Sequence, residues 1–576
     1  MATKIAEEVL LEKVSKEQLM EFTKNISSEV RLSGSQEEWR AFQYAKETLE
    51  KAGLKTNLYT RKAFISLPIS AVLKVDGVDY TSITHSMATS TQEEGLSGEL
   101  FYVGAGSISD FQNVNAAGKI VLMDGLATPG AVKSAEQSGA TGIVFISAEY
   151  THEMIVSTIW GNPVPEKLAE YPKIPVVSVN YSDGLKIKEK IRVKGNVPVW
   201  LKTEVKTEWT DIPTLEAELK GPSDQFVLFS GHIDSWHLGA MDNGSANATM
   251  LEVARILSTE QVDLKRSLRL VFWSGHSHGR YAGSTIYCDE HWEELYDNCI
   301  LHVNIDSVGA KDSVILTEGN CMAETKGLAH QVINRLTGEK YGGSRFGRAG
   351  DQSFWGPGVP SLFMGLSEQL PVTTPASEAF SRLFGGGKGG GFGWWWHTTE
   401  DTMDKIDPEN LARDCSIYLA VIYHACTNEL LPVDQVAAVE EIQGFLRQYQ
   451  ETAPEITALS VSLERIEQLK TKVKEIEEFI ENNALSEDQI TAVNDWKMKV
   501  SKGLVRLNYV GKDEFDHDPA MGQSPIPLLA PIQLLEASKE EEHKYYSLLT
   551  LIRRNVNKVN FIIREMIEKT EELDLI

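Results

Sequence analysis

Cysteine is scarce in this chain of 576 residues: only Cys288, Cys299, Cys321, Cys415 and Cys426, with no CxxC pair among them. An odd number without metal-ligand spacing argues against a disulfide framework and a thiolate metal site, and points to a reducing compartment. Long apolar runs are also missing. No stretch reaches the ~18 apolar residues of a membrane span. The N-terminal MATKIAEEVLLEKVSKEQLMEF alternates charged and apolar residues at helical spacing, unlike the continuous apolar segment of a signal peptide. Positive charge is in short supply: 56 Lys and Arg stand against 82 Asp and Glu, a formal net charge of −26 with a pI near 5.0. That balance disfavours phosphate backbones and anionic membrane surfaces as partners. A cytoplasmic protein that binds neither nucleic acid nor membrane is therefore expected.

The chain is long enough for two to four domains. Residues 1–62 read as helices, with Ser35 and Glu38 at capping-box spacing ahead of EEWRAFQYAKETLEKAG and Gly53 as its stop signal. Residues 63–212 change to short β-rich runs (AVLKV, KIVLMDG, TGIVFISA, IPVVSV) broken by Gly, Asn, Asp and Pro. Residues 213–430 alternate apolar strands with amphipathic helices, the pattern of an open α/β sheet, which binds ligands outside the carboxyl ends of its strands. Residues 431–576 are helical again. There Leu459, Leu463, Ile466, Leu469, Val473, Ile476 and Ile480 form a stripe that faces either a partner or the domain's own core.

Chemistry-bearing residues gather at the ends of those strands. His232 follows FVLFSG, and Asp234, two residues on, can hydrogen-bond the second imidazole nitrogen and fix its tautomer. Asp242 lies in AMDNGSANA just before a helix, where backbone N–H groups can hold a carboxylate that bridges two cations. Asp306 ends LHVNID, His397 follows GFGWWW, and GHSHG places His276 and His278 two apart. Imidazole and carboxylate at this density point to a metal centre. Farther along, Arg345 and Arg348 can clamp a substrate carboxylate, Asp351 can orient a ligand or hold an amino group, and Trp396 offers an aromatic wall. The run from Gly385 to Trp396 lacks the GK[ST] ending of a phosphate loop and reads as a lid or a plain connector.

GHIDSW with DNGSANA, NIDSVG, GDQSFWGPGVPSLF and HTTEDTMDKID resemble successive motifs of the zinc aminopeptidase family that includes glutamate carboxypeptidase II and transferrin receptor. The resemblance covers most of the chain. It implies a zinc-aminopeptidase-like α/β mixed sheet flanked by helices, an inserted protease-associated domain corresponding to the β-rich segment, and a C-terminal helical domain that makes a homodimer. It further implies two divalent cations bridged by Asp242, one also held by His232 and Asp306, the other by His397 and one further residue, with Asp234 and Asp401 as supporting carboxylates.

Family enzymes carry adjacent glutamates after the strand that corresponds to RLVFW, a general base followed by a metal ligand. Here that place reads SGHSHG. Counting forward from Trp273 puts His276 and Ser277 over the glutamates; counting back from Gly283 puts Ser277 and His278 there. His278 is expected as the ligand and His276 as the acid–base group or a second ligand. Zinc suits the ligand set, and manganese, iron or cobalt fit it almost as well. The expected activity is metal-dependent hydrolysis of an amide bond in a small peptide or N-acyl compound. The alternatives are a family member turned to another metal-assisted reaction on a small amide or carboxylated metabolite, and a non-catalytic binding or scaffold protein.

Overall fold

The computed structural model describes residues 6–112, 114–374, 378 and 391–573. Its backbone is built on two unusually long strands, Lys55–Val75 and Val197–Leu219, paired antiparallel from Lys55 opposite Glu218 to Val75 opposite Val199. Before them, the helix Gln36–Lys51 starts where the Ser35 side chain accepts a hydrogen bond from the Glu38 N–H (3.1 Å). The Glu38 carboxylate accepts from Gly34 N (2.6 Å) rather than from Ser35 N, so the reciprocal half of the expected box is displaced by one residue. Gly53, at φ +90°, closes the helix in the left-handed conformation that a helix stop requires.

The long pair carries one sheet through both halves of the molecule. Opposite that pairing, the C-terminal end of Val197–Leu219 pairs antiparallel with Arg266–Trp273, which starts a parallel series running on to Ser223–His232, Cys299–Asn304 and Ser361–Leu362. On the same edge, its N-terminal end pairs with Leu96–Gly104, followed by the parallel strands Ile120–Asp124, Gly142–Ile146 and Val176–Val179. Residues 62 and 212, where the composition changes, therefore fall inside continuous strands. Apolar alternation persists across both positions while only the surroundings change, so composition registers the neighbours and not the strand.

The β-rich half has one interior of its own and contributes Val121, Phe145 and Val176 to the large core of the other. Leu73, Ile120, Val144, Val177 and Val199 share a core within the β-rich segment. Val227, Phe229, Leu270, Phe272 and Leu301 belong to the large core that the helices Ala246–Thr259 and Pro408–Thr427 cover. The tail forms a third core from the helices Gln435–Thr452, Leu459–Asn482, Glu487–Tyr509 and Glu542–Glu571. The stripe from Leu459 to Ile480 packs into that core, which selects the second of its two readings. All five cysteines are buried free thiols. Among the described residues no helix is long and apolar enough to cross a membrane.

Candidate metal centre

Three adjacent parallel strands end together: Trp273 lies opposite His232, and Asn304 opposite Ser230. Register alone thus brings His232, the GHSHG turn and Asp306 to one edge of the sheet. His232 is buried, and its Nδ1 hydrogen-bonds the main-chain carbonyl of Asp234 (2.9 Å), with the Asp234 carboxylate farther off at 3.6 Å. The expected tautomer lock is present, but the peptide carbonyl supplies it, because a strand that turns sharply after His232 folds its own backbone under the ring. The Asp234 carboxylate instead accepts from Ser277 N (2.8 Å) and Ser33 Oγ (2.7 Å), bracing the GHSHG turn.

With Nδ1 committed, Nε2 of His232 faces Asp242 Oδ1 at 3.2 Å and Asp306 Oδ2 at 3.6 Å, while the other Asp242 oxygen lies 3.1 Å from His397 Nε2. Two atoms each about 2.0–2.1 Å from one tetrahedral zinc lie about 3.3 Å apart, so all three separations fit shared cations. His232 Nε2 and Asp242 Oδ1 are buried polar atoms with no hydrogen-bond partner, a state that costs free energy unless a cation or a proton sits between them. Burial pushes the His232 pKa down, but Asp234, Asp242 and Asp306 outweigh it and hold it well above the usual imidazole value. Burial likewise raises Asp242, and His232 and His397 reverse that and hold it below the usual carboxylate range. The pocket is built to keep positive charge.

Asp242 is positioned from below. Asp401 accepts from the N–H groups of Met241 (2.9 Å) and Asp242 (3.0 Å), and its burial raises its own pKa to about 7. Backbone N–H groups were expected to hold the Asp242 carboxylate; they hold that of Asp401 instead, which fixes the main chain of Asp242 and leaves its oxygens to face the two imidazoles. Arg31, fully buried, donates to the carbonyls of Ile233 (2.8 Å), Leu238 (2.6 Å) and Gly239 (3.0 Å), cinching the loop between His232 and Asp242.

The two histidines of GHSHG occupy different neighbourhoods: that of His276 agrees with the second-ligand alternative, whereas His278 lies outside the cluster in which it was expected. His276 stacks on His232 (centroids 3.7 Å apart) and joins His232 and Asp306 in the group whose ligand atoms lie within 4.8 Å of one another. Its Nδ1 is held by Asp351 (2.8 Å). His278 is fully buried against Trp236, with Nδ1 2.9 Å from Ser33 Oγ and burial lowering its pKa to about 4. Two-residue alternation would send both rings to one side, but the segment is a turn rather than a strand, and the N–H groups of His276 and Ser277 are both drawn toward Asp234.

His397 comes from a loop. Its Nδ1 hydrogen-bonds the carbonyl of Glu153 (2.6 Å), and its own carbonyl accepts from Glu153 N (3.0 Å). His152 Nδ1 reaches the Trp396 carbonyl (2.5 Å). The β-rich segment therefore grips this loop by its backbone. Trp396, expected as an aromatic wall for substrate, stacks on His397 (3.4 Å between centroids). The residues Gly385–Gly390 of the lid reading lie outside the described residues.

The expected substrate clamp is not assembled. Arg345 bonds Glu441 and the Asn508 carbonyl and lies over Tyr509, and Arg348 is buried on Trp160 with the carbonyls of Gln352 and Asp518. Both fasten the helical tail to the sheet, because their terminal guanidinium nitrogens already have local acceptors. Asp351 is divided between His276 and Ser284 (2.7 Å), so it orients a site residue and has no oxygen to spare for a substrate amine. Lys512 and Lys167, the latter paired with Glu170 (2.9 Å), line with Asp289 and Asp516 a cavity of about 130 Å³ beyond Trp160, which packs on Tyr281, which in turn meets His276 edge-on at 4.8 Å.

Sequence reasoning missed Arg31, Ser33 and the His152–Glu153 segment. The RLSG stretch of the N-terminal helices gave a weak signal for the first two. The third acts through peptide groups, which carry no signature in side-chain identity.

Residues 214–422 match Peptidase family M28, and residues 93–187 match the PA domain. Aminopeptidase YwaD of Bacillus subtilis (strain 168) is 24% identical over 386 residues, covering 66% of this chain and 78% of its own. Carboxypeptidase Q of Bos taurus is 27% identical over 281 residues, covering 45% of this chain and 57% of its own. In fold, a zinc aminopeptidase from Bacillus subtilis superimposes with a TM-score of 0.55 at 20% identity, over 73% of this chain and 98% of that one. The aminopeptidase from Aneurinibacillus sp. strain AM-1 gives the same TM-score at 21% identity, over 73% and 96%. The strand ends that carry His232, His276 and Asp306 lie inside a region similar to peptidase family M28, and the gripping segment lies inside a region similar to a PA domain that precedes it.

Proposed function

We propose that the protein is a zinc-dependent hydrolase of aminopeptidase type that cleaves a small peptide. The observation that carries this reading is the convergence of His232, Asp242, Asp306, His276 and His397, with unpartnered buried atoms facing one another at cation-sharing distances. Bound there, a divalent cation supplies Lewis acidity at the scissile carbonyl. The chain's own residues do the rest. Asp351, accepting from His276 Nδ1–H, fixes the ring so that the Nε2 lone pair is turned to the cation, and Asp401 and Arg31 hold the Asp242 loop in place. His276 takes the ligand role assigned to His278 from the sequence, and His278 serves as a buried prop on Ser33. Trp236 and Trp396, packed around His397, limit water access to the centre.

A substrate carboxylate remote from the cleaved bond would meet Lys512 in the cavity beyond Trp160, where Lys167 is already paired with Glu170. Limits of 63–212 for the insert and 431–576 for the tail are supported by the core that each holds, around Leu73 and Val144 in the first and around Val439 and Ile563 in the second. A homodimer through the tail is supported by the exposed Tyr546, Leu551 and Phe561 of its last helix. The free buried thiols support a reducing, cytoplasmic setting.

The test is metal analysis followed by a panel of aminoacyl and N-acyl amide substrates. Zinc-dependent release of an N-terminal residue, abolished by a chelator and restored by zinc, is the expected result. Purified protein that takes up no zinc, or that binds zinc and cuts no peptide bond, refutes the reading.

A further inference from the structure

We propose that the centre is asymmetric: one cation is held tightly by His232, His276, Asp306 and Asp242, and the position beside His397 binds a second cation only weakly. The inference rests on the metallohydrolase reading above and goes beyond it, because the family pattern implies two comparable positions.

The first position has a complete shell. His232 Nε2 faces both aspartates at 3.2 and 3.6 Å, and the ligand atoms of His232, His276 and Asp306 lie within 4.8 Å of one another. Four protein side chains satisfy a tetrahedral zinc site. At the second position, Asp242 Oδ2 and His397 Nε2 lie 3.1 Å apart, and among the described residues no third His, Cys, Asp or Glu atom joins them in a cluster. The residue that would complete the set by the backward count, His278, has its Nδ1 on Ser33 and its ring wedged on Trp236, and its Nε2, buried without a hydrogen-bond partner, joins no such cluster among the described residues. Ser277, the other candidate, is turned so that its N–H meets Asp234. The histidine that replaces a family glutamate has therefore moved its donor atom to the neighbouring cation position.

Charge works in the same direction. One dication against Asp242 and Asp306 is neutral, whereas a second dication would leave an excess of two positive charges in a buried pocket. The guanidinium of Arg31 and the carboxylate of Asp234, both buried beside the loop that carries Asp242, offset each other and leave that excess in place. A second cation lacking both a third side chain and its counter-charge must keep water or substrate in its shell, and it exchanges accordingly.

The experiment is zinc content by mass spectrometry of the full-length protein after exhaustive dialysis, with isothermal titration of zinc into the chelator-stripped protein and a thermal melt as a folding control. One zinc per chain should survive dialysis, and a second should titrate at least about 100-fold more weakly. H276A should lose the retained zinc, H397A should keep it, and H278A should keep it if folded. Because H278A removes a buried ring, H278N supplies a smaller change at the same place. Two zinc ions retained with equal affinity overturn the proposal while leaving the hydrolase reading intact. So does an H397A protein as empty as H276A, or an H276A protein that keeps its zinc. A wild-type chain that binds no zinc at all overturns both.

Discussion

The metal centre has two halves of different construction. His232, His276 and Asp306 sit at the ends of three hydrogen-bonded parallel strands, so sheet register sets their relative places. His397 sits in a loop whose geometry is set from outside by the peptide groups of Glu153, in the inserted PA domain. A half fixed by strand register can be disturbed only by changing the ligands or the core beneath them. A half fixed by a neighbouring domain can be disturbed at a distance. Asp242 belongs to both, with one oxygen toward each imidazole.

The largest effect should follow from removing what the halves share. D242N leaves neither cation position with its full charge, and activity is expected to fall by on the order of 10³-fold or more with loss of the retained zinc; a variant with normal zinc content would show that the halves do not meet at this residue. Next comes the strand-end half itself: H276A should lose metal and activity together, whereas H397A should lose activity and keep most of its zinc. Comparable zinc content in the two would erase the distinction. A smaller change is expected from D351N, which leaves the His276 ring without its carboxylate acceptor; an outer-shell loss of this kind lowers metal affinity or activity by about 10–100-fold. That effect should appear in zinc affinity and vanish in the H276A background, since the carboxylate acts through that ring. Smaller still, K512M should raise KM for substrates with a remote carboxylate by about 10-fold or less and leave kcat and zinc content alone, as expected of one ammonium at a half-open cavity; a changed kcat would place Lys512 in the chemistry.

The same contrast explains what was legible in the sequence. The strand-end half could be read because apolar runs followed at once by His232, GHSHG or Asp306 leave one topological place for those side chains. Family motifs supplied Asp242 and His397. The choice between His276 and His278 was not legible, since it depends on a turn whose N–H groups are collected by Asp234, a contact across some 40 positions of chain. The misassigned clamp has a related origin. Arg345 and Arg348 look like free cations in a polar segment, and only the packed tail reveals the acceptors that occupy them. The Leu459–Ile480 stripe was read correctly as helical, yet its partner, being other helices of the same tail, could not be known from periodicity alone. The contribution of the PA domain escaped altogether, because peptide carbonyls look the same at every position.

The paired strands Lys55–Val75 and Val197–Leu219 run from the large core into the insert with a single register shift, between Pro68 and Ser70. They act as a ruler. Each strand residue advances the chain about 3.3 Å, so two residues added to both strands between the cores would carry the insert outward by about 7 Å, more than twice the 2.6 Å contact that ties Glu153 to His397. The length of a ribbon that contains no metal ligand thus sets the spacing at which this chain assembles its active edge, and natural changes of insert size should be absorbed in the turns far from that ribbon rather than within it.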